Sequence, residues 1–418
     1  MDIRHPACKL IASVLSGLLI LNPIVAAAAE LAVDAAAGGN TSIGAAGNGV
    51  PIINIATPNG AGLSHNKFSS YGVGSEGLIL NNSTQRTQPT ELGGIVVGNP
   101  NLRGQAAQKI LNEVTSNNLA KLQGYTEVAG QAAHVIVAAP GGVYCNGCGF
   151  INTPRATLTT GKPLMDGERL RGYDIDGGSI TIDGKGLNAS NVDRFEILTR
   201  SAKLNADLYA NQLTVVTGRN QVDADSLAAT AKLDDGSSKP QLAIDSSALG
   251  GMYAGVIRLV GTEQGVGVKL AGNMAASAGD IQIDANGQLS LAQTSAAGSL
   301  RAKAQDIALT GSAYASTTAN LRADGQLTVD KSLASGGQVQ LNAAHLSNTG
   351  QIVSGIDGER RIAGQALDIT VDSLNNRGRL DATGAANVIA RVMDNSGQAY
   401  ADRIALTARD SVDNRGTL

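Results

Sequence analysis

The chain has 418 residues, of which 52 are glycine, 3 are phenylalanine and none is tryptophan, while 43% are hydrophobic. That hydrophobic content excludes a disordered chain, and the scarcity of large aromatic side chains argues against an ordinary globular core of this size. The formal net charge of −3, with no basic run, predicts no nucleic-acid partner.

The N-terminus has the residue order of a secretory signal peptide. Arg4 and Lys9 precede an apolar run at residues 10–21, and small residues follow up to Ala29. The apolar run is shorter than a membrane-spanning helix requires. We therefore predict a signal peptide over residues 1–29, with a buried N-terminal helix as the alternative. Its removal takes away Cys8 and leaves two cysteines in the exported chain.

The next part of the chain, up to residue 152, has strand-like runs without a strict period. These runs occupy residues 50–55, 77–80, 94–97 and 134–138. Between them, residues 105–122 carry apolar side chains at approximately helical spacing, including Ile110, Leu111 and Val114. That spacing predicts one helix in this part of the chain.

After residue 152 the sequence becomes periodic. Apolar and polar residues alternate in short runs that each end at glycine, asparagine or aspartate, which indicates strands. Such runs occur at residues 179–184, 280–284, 326–330, 338–342 and 367–371. The phrase at residues 346–350 returns at residues 374–378 and 412–416, and strand openings recur about every twenty residues.

This pattern predicts a parallel β-helix, in which successive coils of about twenty residues stack and pair. A narrow core suits the small aliphatic side chains, and glycine and asparagine suit the corners. Asparagines at equivalent corners are expected to form side-chain ladders. An array of β-sandwiches is the alternative. Because residues 414–418 stop inside a repeat phrase, we expect the natural chain to continue.

Three phrases in the first half are more specific than composition. They lie at residues 62–68 leading into 77–83, at residues 92–102, and at residues 145–153 followed by 155–161. In this order and spacing they closely resemble the two-partner-secretion domain of filamentous haemagglutinins and contact-dependent growth inhibition proteins. The resemblance covers residues 50–222. A second Asn-Pro phrase of that family has lost its asparagine here, where the chain reads Ala139-Pro140.

The resemblance implies a right-handed β-helix with N-terminal capping elements, recognised by a dedicated outer-membrane transporter. It also marks Asn99, Pro100, Asn101 and Leu102 as candidate recognition residues. By themselves these residues form a rigid turn, because Pro100 fixes its own φ and restricts Asn99, while Leu102 can anchor the turn in the core. A purely structural role is the alternative reading.

Cys145 and Cys148 flank an Asn-Gly turn that brings their side chains close together. In an exported protein this pair favours a disulfide over two free thiols. A metal site would need two further ligands, and the sequence offers no second cysteine pair.

We therefore predict a non-enzymatic secretion and surface-display region of an adhesin or a contact-dependent toxin-delivery filament, without catalytic residues, cofactor or metal. Residues 30–270 are the expected secretion domain, and residues 271–418 are haemagglutinin-type repeats. The expected partners are the transporter and a receptor on a host or neighbouring bacterial cell. The alternatives are an autotransporter passenger and a β-helical polysaccharide-degrading enzyme. The enzyme's candidate carboxylates are Asp174, Asp176 and Asp183.

Overall fold

The computed structural model describes residues 31–418, which wind into a right-handed parallel β-helix. One coil consists of Ile281–Ala285, Gln288–Leu291 and Thr294–Ala296, and each strand pairs in parallel with its equivalent in the next coil. The β-helix prediction is confirmed, and the β-sandwich alternative is wrong. The predicted signal peptide over residues 1–29 lies outside the described residues.

The first face of each coil is its longest run of paired residues. Its strands are Leu63–Ser70, Lys109–Val114, His134–Ala138, Arg155–Thr159, Leu187–Thr199, Leu208–Thr217, Val256–Gly261, Ile281–Ala285, Leu300–Ala304, Ala319–Ala323, Val339–Asn348, Leu367–Asn376, Ala385–Asn395 and Arg403–Asn414. Six of these continue around a corner: Leu187–Thr199 and Leu208–Thr217 begin on the third face, and the last four end on the second.

The second face carries shorter strands. They are Gly72–Val73, Ala120–Leu122, Val143–Cys145, Ser179–Ile182, Ser201–Leu204, Leu242–Ser246, Gly267–Leu270, Gln288–Leu291, Asp306–Leu309 and Gln326–Val329. In these strands two inward aliphatic side chains usually flank one outward polar residue, as in Ile180-Thr181-Ile182.

The third face closes the coil. Its strands are Pro51–Asn54, Leu78–Asn82, Tyr125–Gly130, Cys148–Ile151, Met252–Ala254, Met274–Ala276, Thr294–Ala296, Ser312–Ala315, Ser332–Ser335, Gln351–Ser354, Arg379–Ala382 and Gln398–Tyr400. In Met252–Ala254 and Ser312–Ala315 small or flexible residues point inward, and one tyrosine points outward between them.

Antiparallel strands pack on the outside of the β-helix, and most of them lie in the first half of the chain. Ala32–Val33 pairs with the first coil, and Ser42–Ala45 pairs with Pro51–Asn54, so they form the expected N-terminal cap, together with a 3-10 turn at Ala35–Ala37. The strand-like run at residues 94–97 was predicted, but three elements that form by pairing outside the coils were not. They are the hairpin of Thr87–Thr90 and Gly94–Val97, the extrahelical sheet of Lys162–Asp166, Arg169–Ile175, Asn220–Asp223 and Ala229–Ala231, and the hairpin of Ile356–Asp357 and Arg360–Arg361.

One apolar core runs inside the coils without a break from Ile53 to Ala399. At one corner the predicted asparagine ladder is present. Asn348 donates to Asn376, Asn376 to Asn395, and Asn395 to Asn414, at 2.8, 2.7 and 2.7 Å. The last two steps span 19 residues each, as the period of about twenty predicts. The first step spans 28 residues because it contains the inserted hairpin of Ile356–Asp357 and Arg360–Arg361.

The helix predicted over residues 105–122 is wrong. This segment contains the strands Lys109–Val114 and Ala120–Leu122. Ile110 and Val114 point into the β-helix core, whereas Leu111 points outward into a second apolar cluster beneath the extrahelical sheet. Because both faces of this strand are buried, its apolar residues lose strict alternation and imitate helical spacing.

Candidate functional site

The turn at residues 99–102 directly follows the strand Gly94–Val97, at the junction of the hairpin and the cap. Gly98 precedes it, and a Cβ at that position would lie 1.8 Å from the carbonyl oxygen of Gln85, so only glycine fits there. The tight approach fixes where the turn begins.

Asn99 connects two neighbouring coils. Its side-chain amide donates to the carbonyl oxygens of Ile55, at 2.9 Å, and Asn81, at 2.8 Å. Its side-chain oxygen accepts from the backbone amide of Asn101, at 2.9 Å, which closes the turn on itself. Asn99 is 6% exposed, so every polar group of its side chain is used inside the protein.

Asn101 ties the turn to the N-terminal cap. Its amide donates to the carbonyl oxygens of Asn40, at 2.8 Å, and Ile55, at 3.1 Å, and its own carbonyl accepts from the Thr57 hydroxyl at 2.8 Å. Leu102 is 1% exposed and belongs to the main core. Of the four candidate recognition residues, only Pro100 is exposed.

The surface beside this turn is unusually apolar. On the strand Gly94–Val97, Ile95 and Val97 are 77% and 74% exposed, while Val96 between them is buried. Together with Ile43, which is 42% exposed on the outer cap strand, they form what we call the cap surface. A groove separates the two strands, with Gly44 and Ala45 on one side and Val97 and Pro100 on the other. The sequence did not reveal this surface, because the run Ile95-Val96-Val97 gives no sign of which side chains are buried.

Both strands of the cap surface have an unpaired edge among the described residues. Ser42–Ala45 pairs only with Pro51–Asn54, and Gly94–Val97 pairs only with Thr87–Thr90. An unpaired edge beside exposed apolar side chains can accept an added strand from another chain. The turn at residues 99–102 therefore holds in place a surface that has the properties of a strand-docking site.

Cys145 and Cys148 are joined in the structure, with Cα atoms 5.5 Å apart. Cys145 ends a strand of the second face and Cys148 begins a strand of the third, so the bond spans one corner of a coil. Both residues are buried, and Asn146 and Gly147 form the turn between them.

We expect this disulfide in the exported protein. Thiol labelling of secreted, non-reduced protein should then leave both cysteines unmodified, whereas full labelling of both would contradict the expectation. Because the closed loop is so short, replacing both cysteines with serine should lower the free energy of unfolding by only about 2 kcal/mol. Urea unfolding of the two forms measures this difference.

The three candidate carboxylates of the enzyme alternative contact Lys232 and a turn of the backbone. Asp174 and Asp176 lie at the end of an extrahelical strand, where the ammonium group of Lys232 contacts both, at 2.8 and 2.7 Å. This hydrogen bond to Lys232 lowers the pKa of Asp176. Asp183 is at a corner and accepts from the backbone amide of Gly184. Their contacts are those of structural ion pairs and turns.

A buried polar cluster under the extrahelical sheet was missed by sequence reasoning. Glu196 accepts two bonds from Arg155, at 2.7 and 3.0 Å, and one from the Thr157 hydroxyl at 2.6 Å. The Thr157 hydroxyl also lies 2.8 Å from His134. Burial, with the nearby charge of Arg155 second, lowers the pKa of His134, so this ring stays neutral. Arg155 also donates to the carbonyl of Ala224, which attaches the extrahelical sheet to the coils.

Within residues 31–418, no three histidine, cysteine or acidic side chains are grouped so that they could hold a metal ion. The same residues contain no α-helix that is long and apolar enough to cross a membrane.

Comparison with known proteins identifies the family. Residues 29–291 match the family model described as the TPS secretion domain, a longer region than the 50–222 that the phrases predicted. The chain is 44% identical over 382 residues to the 16S rRNA endonuclease CdiA of Enterobacter cloacae, covering 90% of this chain and 11% of that protein. It is 52% identical over 268 residues to a tRNA nuclease CdiA of Escherichia coli, covering 64% of this chain and 8% of that protein.

The fold has a solved counterpart. The crystal structure of the filamentous hemagglutinin secretion domain superimposes with a TM-score of 0.57 at 28% identity, covering 86% of this chain and 99% of that one. None of these similarities supports the polysaccharide-degrading alternative. The resemblance seen in the three sequence phrases is confirmed, and the chain belongs to the family of TPS secretion domains.

Proposed function

We propose that this chain is the secretion and surface-display region of a larger toxin-delivery protein, recognised by an outer-membrane transporter partner. The chain spans about 11% of the length of a relative named as a nuclease. The relatives' printed names include toxin and nuclease activities. The candidate carboxylates here contact Lys232 and a turn. This region therefore directs the export and display of the larger protein, and the toxic activity belongs to another part of that protein. The relatives' names favour toxin delivery over a purely adhesive role.

The observation that carries this proposal is the cap. The turn at residues 99–102 uses its asparagine side chains to tie the cap to the first coils, and it leaves Ile95 and Val97 facing solvent. The transporter contacts the cap surface by adding a strand to an unpaired edge. Asn99, Asn101 and Leu102 act in recognition by building that surface, and Pro100 is the residue of the turn that the partner can touch directly.

Each segment of the chain has its own role in export and display. Residues 1–29 direct export through the inner membrane to the periplasm, residues 30–270 are the secretion domain, and residues 271–418 are haemagglutinin-type repeats. Stacking of each coil outside the cell buries apolar surface and helps to draw the following chain outward. The displayed filament then meets a receptor on a host or neighbouring bacterial cell.

The proposal is tested by export of the 418-residue chain from cells with and without its cognate transporter. We expect the protein in the medium or on the cell surface only when the transporter is present, and degradation in the periplasm when it is absent. Equal amounts outside both kinds of cell would contradict a transporter-dependent route. A periplasmic reporter enzyme controls for leakage.

A further inference from the structure

The outward residues of the third face show an unexpected order. Following the pairing from coil to coil, one column of outward positions contains five of the eight tyrosines in the chain. We call these residues the tyrosine column: Tyr125, Tyr209, Tyr253, Tyr314 and Tyr400. Two of the other tyrosines, Tyr71 and Tyr173, are buried. In a protein with so few aromatic residues, this alignment on one face calls for an explanation.

The rings are accessible. Tyr209 is 43% exposed, and Tyr125, Tyr253 and Tyr314 are half-buried. Tyr209 and Tyr253 stack face to face, with centroids 5.2 Å apart and planes at 17°. The faces that Tyr209 and Tyr253 turn toward each other are covered by this stacking, so a ligand can reach only their outer faces and edges.

The positions next to the rings are occupied by small residues. Tyr253 is followed by Ala275 and Ser295, and Tyr314 lies between Ser295 and Ala334. Coils stack about 4.8 Å apart, so two small positions in a row leave a shallow slot beside a ring face. The column therefore has one slot of two small residues, between Tyr253 and Tyr314, whereas Asp381, the column position before Tyr400, is buried.

Three rings of the column also have a polar neighbour. The Tyr209 hydroxyl donates to Asp207 at 3.1 Å, the Tyr314 hydroxyl donates to Asp357 at 2.6 Å, and the Arg379 guanidinium lies 4.9 Å from the Tyr400 ring centroid. The charge of Arg379 is compensated by the buried carboxylate of Asp381. Carboxylates beside the platforms accept hydrogen bonds from hydroxyl groups and repel anions.

We propose that the tyrosine column is a binding track for an uncharged linear polysaccharide. The C–H faces of pyranose rings stack on the free faces of aromatic rings, as in the slot beside Tyr253, while their hydroxyl groups bond to adjacent carboxylates, and the linked sugars of a linear polymer can contact several tyrosines spaced along one face. A protein partner fits less well, because an ordinary interface covers about 800 Å² on each side around an apolar centre. Tyr125 lies on the strand beside the cap hairpin, but Tyr314 is far along the chain from it, so a change at Tyr314 tests the track independently of transporter recognition.

The test is titration of the folded, secreted chain with chitohexaose, cellohexaose and a heparin-derived hexasaccharide. Because the chain contains no tryptophan, its fluorescence comes from its eight tyrosines, five of which belong to the column. We expect at least one uncharged hexasaccharide to change the tyrosine signal saturably, and Tyr314→Ala and Tyr400→Ala each to weaken its binding about fivefold to tenfold.

Tyr144→Ala is the matched control, since Tyr144 points outward from the second face. Its binding should equal that of the unchanged chain, and thermal unfolding verifies that all variants fold. The proposal is overturned if neither uncharged hexasaccharide binds at about 10 mM. It is equally overturned if only the heparin fragment binds, or if the Tyr314 and Tyr400 variants bind as well as the Tyr144 variant.

Discussion

Replacing Asn101 with alanine is expected to abolish export, with the protein retained and degraded in the periplasm. The side chain of Asn101 holds the backbone at Asn40 and Ile55, and its loss leaves these carbonyl groups without that donor. Such a loss costs about 1–3 kcal/mol. The loss weakens the attachment of the cap at Asn40, just before the strand Ser42–Ala45, and leaves the pairing of that strand with Pro51–Asn54 in place. The measurement is the ratio of external to periplasmic protein in cells that contain the transporter.

Asn320→Ala provides the matched control. Asn320 also donates its amide to a neighbour, the Gln340 side chain at 2.9 Å, but it lies on the first face, far along the chain from the cap. This variant should be exported normally. If Asn101→Ala is exported as well as Asn320→Ala, the turn has no part in recognition.

A second pair of changes separates recognition from folding. Ile95 and Val97 are exposed, so replacing both with serine should alter the free energy of unfolding by less than about 0.5 kcal/mol. If the cap surface is what the transporter contacts, this variant unfolds normally and still remains in the periplasm. Normal export of a stable Ile95→Ser/Val97→Ser chain would leave the Asn101 effect as a folding defect alone.

Periodicity predicted the coils well because the geometry of a solenoid repeats. Residues that share a corner meet the same constraints in every coil, so the phrase around Asn348 recurred and its ladder followed. Asn395 is the ladder residue that the repeated phrase did not predict. It is followed by serine, whereas Asn376 and Asn414 are followed by arginine. In the periodic part of the chain, after residue 152, the core within the coils could therefore be inferred from alternation.

The insertions could not be inferred in this way, since they obey no period. The extrahelical sheet joins Lys162–Asp166 and Arg169–Ile175 to strands about fifty residues later, and no local pattern encodes that pairing. It also buries the outward side of the first face, which gave Leu111 its misleading helical spacing. The exposed face of Ile95 and Val97 was hidden for the same reason, because burial on a hairpin depends on what lies beside it.

The buried cluster beneath the extrahelical sheet leads to the largest expected effect on stability. Arg155→Met should lower the free energy of unfolding by about 3–5 kcal/mol, because it leaves the carboxylate of Glu196 buried without its main partner. The side chains of Arg155 and Glu196 are 14% and 1% exposed, and Arg194, at 3.7 Å, is a poor substitute. Loss of the bond to Ala224 should also loosen the extrahelical sheet, seen as faster hydrogen exchange across Arg169–Ile175.

Removing both charges should be far less harmful than removing one. In the double variant Arg155→Met/Glu196→Leu the buried carboxylate is gone, and apolar side chains of similar volume fill the site, so much of the lost stability should return. Arg322→Met is the control, since Arg322 is 65% exposed and lies 3.8 Å from Asp324, and its effect should stay within about 0.5 kcal/mol. The free energies of unfolding are compared by urea denaturation of the unchanged chain, the two single variants and the double variant. If Arg155→Met is no more destabilising than Arg322→Met, the pair does not hold the extrahelical sheet on the coils. If the double variant is as unstable as Arg155→Met alone, the loss comes from Arg155's own packing and its bond to Ala224 rather than from the unpaired charge.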